Sequence, residues 1–177
     1  MSPRIALVWM NRPIPYLHHL TLALEKSFPG CRLEIHEAAF FTQSFDSSRK
    51  QYNAEMLLGE LAEKRQRATW QKADKVLAIV REDLFVPNLN FVFGLAGNKY
   101  AVVSLARLDP RFYGREDGDI LRERMIKEAI HELGHAFGLQ HCGDRQCVMS
   151  FSNTIGEVDD KTSEFCQSCR ARLALTA

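Results

Sequence analysis

His131, Glu132, His135, Gly138 and His141 fall in the pattern H-E-x-x-H-x-x-G-x-x-H, residue types and spacings that can hold a metal ion and use it. At 3.6 residues per turn, His131 and His135 stand one above the other on a single helix face. Two imidazoles so placed can share one Zn²⁺ at about 2.0–2.1 Å each. Glu132 lies about 100° round the helix from His131, where it can reach a water at the metal without being a ligand. Gly138 lets the chain turn out of the helix, because the left-handed region costs glycine little. The turn returns His141 as third ligand, and three protein ligands leave a fourth position open, the mark of a catalytic zinc. Chance gives H-E-x-x-H in roughly one chain of this length in a few hundred, and the full pattern in on the order of one in a hundred thousand. Surface histidines on an ordinary helix are therefore the weaker account. Glu157, a carboxylate downstream, is the alternative third ligand, but the turn at Gly138 favours His141.

Four of the five cysteines form a second set, Cys142-x₄-Cys147 followed by Cys166-x₂-Cys169. Paired cysteines at short spacing, separated by a loop, suit a Cys₄ zinc site with no open position, hence a structural one. Residues 150–164 are polar and cannot build a core of their own, so a thiolate site would give this segment its fold. Two disulfides or free thiols are the competing accounts. Cys31 stands alone and reads as a small buried hydrophobe. His18, His19 and His36 read as surface or packing residues.

The elements that must position these groups follow from periodicity. Residues 4–10 and 75–80 read as buried strands, 32–36 as a strand between helices at 16–28 and 52–69, and 42–50 as a loop. Two apolar strands, 89–96 and 99–108, are joined through Gly97-Asn98 and should form an antiparallel hairpin. After a loop at 109–118, Asp117 or Asp119 can cap a helix that runs to about Leu139 and carries the motif. The alternation argues for an α/β (α+β) domain with a largely parallel start.

The 177 residues suffice for one domain with a sizeable core, and 46% hydrophobic with 25% charged residues matches an ordinary globular protein. The formal net charge of +1 gives no reason to expect nucleic acid or an anionic membrane as partner. The first apolar run, residues 5–10, is too short for a signal peptide, and no run reaches bilayer length. A cytoplasmic location is expected, which favours metal ligands over disulfides.

The stretch from His131 through Cys142, Cys147 and Met149 to Cys166 and Cys169 resembles the archaemetzincins, a metzincin family of zinc metallopeptidases. The likeness covers about forty C-terminal residues. It implies a twisted mixed sheet with an antiparallel edge strand, residues 89–96, above a horizontal cleft. It further implies an active-site helix beneath, within an upper part at 1–138, and a small zinc-stapled lower part at 139–177. By the same resemblance, Met149 is the methionine of the turn under the catalytic zinc, and an extended peptide could add to the edge strand. Some metzincins carry a tyrosine two residues after this methionine; Phe151 stands there and cannot donate a hydrogen bond.

The function expected is peptide-bond hydrolysis by a monomer with two zinc ions and Glu132 as general base, on a peptide or protein substrate. The rival is a non-catalytic zinc module that binds a protein partner through the Cys₄ end and the edge strand. The carboxylate of Glu132 and the open metal position favour the enzyme.

Overall fold

In the computed structural model, the chain runs β1 (Arg4–Met10), α1 (Leu17–Ser27), β2 (Arg32–Ala38), β3 (Phe45–Asp46), β4 (Gln51–Asn53), α2 (Ala54–Lys64), β5 (Lys75–Val80), β6 (Leu84–Phe85), β7 (Gly94–Ala96) and β8 (Tyr100–Ser104). A 3-10 turn at Pro110–Tyr113 leads to α3 (Gly118–Ala136), α4 (Ile155–Asp160) and α5 (Gln167–Thr176). The structure describes residues 2–10, 12–39, 43–64 and 69–176.

Strands β2-β1-β5-β8-β7 form one mixed sheet, parallel throughout except that β7 runs antiparallel to β8 at the edge. The two-residue period of the central strands divides the core. Ile5, Leu7, Leu77, Ile79 and Val103 point to one face and pack on Leu20 and Leu24 of α1 and Met125, Ile130 and Leu133 of α3. Ala6, Val8, Val76, Ala78 and Val102 point to the other and meet Leu57 and Leu61 of α2. Strands covered on both faces need apolar residues at nearly every position, which is why R-I-A-L-V-W-M and K-V-L-A-I-V show no polar alternation. Each Val, Leu or Ile side chain among them contributes about 1.5–3 kcal/mol on full burial.

The elements expected at 4–10, 75–80 and 32–36 form as read, and α3 is capped by Asp117, whose carboxylate accepts the backbone N–H of Asp119 and Ile120, but it ends at Ala136 rather than near Leu139. Other expectations need correction. The stretch 42–50 holds β3, which pairs with β4 and, through it, β6 in a second small sheet. The helix expected over 52–69 starts at Ala54, capped by the Asn53 side chain, and its described part ends at Lys64; residues 65–68 lie outside the described residues. The edge strand spans only 94–96, because the chain turns at Asn88 (φ 71°) and Phe93 is buried in the core. The antiparallel hairpin forms with its turn one residue further on: Ala96 pairs with Ala101, and Gly97 donates to the carbonyl of Tyr100, which leaves Asn98 and Lys99 as the two-residue loop. Polar residues 150–164 are also more ordered than their composition suggests. Thr154 and Glu157 form a reciprocal capping box on α4, and Val158 is fully buried. Among the described residues, no helix is long and apolar enough to cross a membrane.

Candidate metal centre and cleft

Helix α3 carries the motif on its last two turns. Its packed face (Leu121, Met125, Ala129, Ile130, Leu133) fixes the helix against the sheet, so the remaining faces are held in a set direction. Gly138 follows at φ +93°, and the N–H of Leu139 returns to the carbonyl of Gly134. That left-handed exit does more than end the helix. It brings the Leu139 carbonyl to within 2.8 Å of His135 Nδ1. His131 Nδ1 lies 2.8 Å from the Val148 carbonyl. A carbonyl can only accept, so both Nδ1 atoms carry the proton, and both Nε2 atoms present lone pairs.

Those two Nε2 atoms face each other at 3.1 Å, and His141 completes a set whose donor atoms all lie within 4.8 Å. Lone pairs at that separation repel unless a cation sits between them. For ligands at about 2.0–2.1 Å from a tetrahedral centre, neighbouring donors should be about 3.3–3.4 Å apart. The donor set therefore fits a zinc-sized ion. Burial also holds all three imidazoles below their ordinary pKa, which keeps them neutral, the form that ligates. Their exposure is graded: His131 is buried, His135 half-buried and His141 exposed. The expected alternative, Glu157, is not part of this group; its carboxylate accepts the N–H of Asn153 and Thr154 at the start of α4.

Glu132 is buried beside the histidines, and its carboxyl is pushed well above the usual range, first by burial and then by the Glu128 carboxylate. Above it passes β7. A Cβ on Gly94 would lie 2.6 Å from Glu132 Oε1 and 2.7 Å from Cγ, so only glycine lets the edge strand approach this closely. The space between β7 and α3 is a cavity of about 440 Å³, bordered by Gly94, Glu128, His131, Glu132, His141 and Lys161 among others. Lys75 ties its two walls together. Its ammonium donates to the Asn98 carbonyl in the hairpin turn at 2.7 Å and to the Ala136 carbonyl at the end of α3 at 2.6 Å.

The four cysteines gather as a second group, with all sulfurs within 4.8 Å. Cys142 Sγ and Cys166 Sγ stand 3.8 Å apart. That is too far for a disulfide bond of about 2.05 Å, and it equals the edge of a tetrahedron with metal–sulfur bonds of about 2.3 Å. Met149 is fully buried, and its sulfur lies so close to Gly134 that a Cβ there would meet it at 2.5 Å. Phe151 is exposed and its ring stacks obliquely on His141, with centroids 4.9 Å apart. His18 and His19 are exposed, His36 is half-buried beside Thr69 and Trp70, and Cys31 is partly buried against the core.

The family model described as peptidase family M54 matches residues 19–174. The chain belongs to peptidase family M54. An archaemetzincin of Pyrococcus horikoshii is 46% identical over 136 residues, 75% of this chain and 71% of that one. The crystal structure of the Methanopyrus kandleri archaemetzincin superposes with a TM-score of 0.86 at 36% identity, covering 99% of this chain and 95% of that chain. A structure described as a zinc-dependent peptidase from Methanocorpusculum labreanum gives a TM-score of 0.82 at 32% identity, covering 96% and 99%. Membership makes this M54 chain a metallopeptidase, with peptides or proteins as substrates, and the mixed sheet with its antiparallel edge is that of the archaemetzincin fold.

Proposed function

We propose that this M54 peptidase hydrolyses peptide bonds with a zinc ion held by His131, His135 and His141, Glu132 acting as general base. We further propose that a second, structural zinc is held by Cys142, Cys147, Cys166 and Cys169. The observation that carries the first assignment is the pair of Nε2 lone pairs turned towards each other, with both Nδ1 atoms committed to backbone carbonyls. Zinc, when bound, supplies Lewis acidity towards the scissile carbonyl and makes a water acidic near neutral pH.

The chain's own residues do the rest. The free edge of β7 offers main-chain donors and acceptors to an extended peptide, so the scissile bond lies over α3. Glu132, under Gly94, takes a proton from the attacking water and passes it to the leaving amine. Phe151 offers no donor to the developing oxyanion. In this reading residues 1–138 form the frame above the cleft and 139–177 the part below it, with Gly138 at the junction and Met149, packed against Gly134, as the methionine of the turn under the catalytic zinc.

Glu132→Gln tests the assignment. It should keep both metals by elemental analysis and lower kcat for a peptide substrate by at least about 10²–10⁴-fold. Unchanged hydrolysis in this variant would reject Glu132 as the base. Failure of the zinc-loaded wild-type protein to cut any peptide or bind a hydroxamate would reject the peptidase reading itself.

A further inference from the structure

The open edge of β7 has a definite hydrogen-bond register. Ser104 donates its N–H to the carbonyl of Phe93, and Gly97 donates to the carbonyl of Tyr100. Bonded and non-bonded positions alternate along an antiparallel pair, so Leu95 is also bonded inward, to Val102. The N–H and C=O groups of Gly94 and Ala96 therefore point away from β8, towards the cleft. A strand that pairs with them, in either direction, places one residue opposite Leu95 with its side chain on the Leu95 face. That face is the upper one. Leu95 packs with the core on the α2 side, whereas Ala96 packs with the core on the α3 side.

Val86, Leu89 and Val92 border the same cavity as Leu95. Val86, Val92 and Leu95 are half-buried against the α2-side core, and Leu89, on the turn between the two valines, is 50% exposed. A leucine exposed singly is ordinary, but these four apolar side chains beside an open strand edge form a patch with a use. The patch is held in shape. Arg49 Nη2 donates to the carbonyls of Leu89 and Asn90 at 2.9 and 3.0 Å. Gln51 donates to the Asn90 carbonyl, and the N–H of Val92 to that of Leu84. These bonds keep Leu89 out in water. The charged pair deeper in the cleft is already spent: Glu128 and Lys161 are buried, with Oε1 and Nζ 2.8 Å apart.

We infer that Val86, Leu89, Val92 and Leu95 form a subsite for a large apolar side chain, aliphatic or aromatic, on the substrate residue that faces Leu95. This rests on the zinc-peptidase reading of the cleft. Glu132 lies under Gly94, so the residue read is next to the one that passes over the general base. An apolar side chain there loses water on its own surface and on the exposed Leu89 together. A carboxylate or ammonium would shed water against four aliphatic groups and gain no partner from them. Strand alternation sends the neighbouring substrate side chains to the opposite face, so the preference applies to one residue and skips those beside it.

The test uses the full-length zinc-loaded protein and peptide hydroxamates, whose chelating group fixes where the strand starts. One series carries the hydroxamate after acetyl-Ala-Ala-Ala, and the other carries a succinyl hydroxamate ahead of Ala-Ala-Ala amide. The strand can then leave the metal in either direction. Each alanine in turn is replaced by leucine or glutamate, and binding is measured by calorimetry with acetohydroxamate as reference. In one series, leucine at the position facing Leu95 should bind at least about tenfold more tightly than glutamate there. Leu89→Ser and Leu95→Ser should each lower that ratio severalfold, at that position and not at its neighbours, with zinc content and acetohydroxamate affinity unchanged. Leucine no better than glutamate at every position of both series overturns the subsite. So does a preference that both variants keep, or one that they lower equally at adjacent positions. Normal acetohydroxamate binding alongside those results leaves the peptidase reading standing, whereas its loss in the zinc-loaded wild type overturns both.

Discussion

Two donor clusters lie side by side in this chain, and each is assembled by the opposite means. The imidazoles ride on the last turns of a nineteen-residue helix whose apolar face is sunk in the main core, and a single glycine turn delivers the third. The thiols come from the loop after that helix and from the start of α5, joined through a segment whose only buried apolar residues of note are Val148, Met149, Val158 and Phe165. The first cluster inherits its geometry from the fold. On the proposed ligation the second supplies geometry to its surroundings, because four thiolates on one zinc would tie that segment together. They meet at Val148, between Cys147 and Met149, whose carbonyl orients His131. Disturbing the thiols should therefore harm the imidazoles, and the reverse should hold much less.

The largest effect expected is the asymmetry itself. Cys147→Ser should cost at least about 3 kcal/mol, since structural zinc sites carry much of a small module's folding energy. At this length that is roughly 10 °C in Tm, and zinc at both sites should fall. His135→Ala should remove one zinc ion and all hydrolysis but leave the thiol site loaded and far-UV circular dichroism unchanged. Two zinc ions retained by Cys147→Ser would erase the distinction drawn between the clusters.

Next comes the roof of the cleft. Gly94→Ala places a methyl group where the Glu132 carboxylate stands, and displacing a base by about 1 Å can cost on the order of 10²-fold. The expected outcome is a kcat lowered about a hundredfold with both metals present, read in a metal-saturated peptide assay. A variant as fast as wild type would mean that β7 tolerates lifting off α3.

Lys75→Met should be milder, about 1–2 kcal/mol in chemical denaturation, for two lost charge-assisted hydrogen bonds. The smallest effect lies at the far rim of the thiol region, where Lys26 and Arg170 reach Glu164. The Lys26 hydrogen bond foremost holds the Glu164 carboxyl below its ordinary value of about 4.3. A depressed carboxyl stabilises the fold above that ordinary value and loses the contribution as pH falls through the lowered one. Lys26→Met should thus cost under about 1 kcal/mol near neutrality, the pair being largely exposed, and nothing once the solution is acidic enough to protonate Glu164. An equal cost at both pH values would assign the loss to packing.

What was legible in the sequence follows the reach of each interaction. His131, His135 and His141 lie within eleven residues on a helix and its exit, so local geometry alone predicts their convergence. The cysteine pairs are nearly as local, and β1 and β5 declare themselves by unbroken apolar runs. Gly94 against Glu132, and Glu128 with Lys161, join positions more than thirty residues apart, and no local pattern marks them. The strands β3, β4 and β6 have only two or three residues, too few for a period to register. Helix α4 did carry a readable sign, Thr154-x-x-Glu157, which the polarity of its surroundings obscured. The apolar run at 89–96 misled on length because Phe93 fills the core from a non-strand segment.

The ammonium of Lys75 acts as a crossbar between the two jaws of the slot. Breathing that raised the hairpin would have to drag the helix end with it, so the gap should fluctuate less than either jaw would alone. On the proposed peptidase reading, a slot of fixed gauge would take one extended strand and turn away a folded domain, a selection made before any side chain is read.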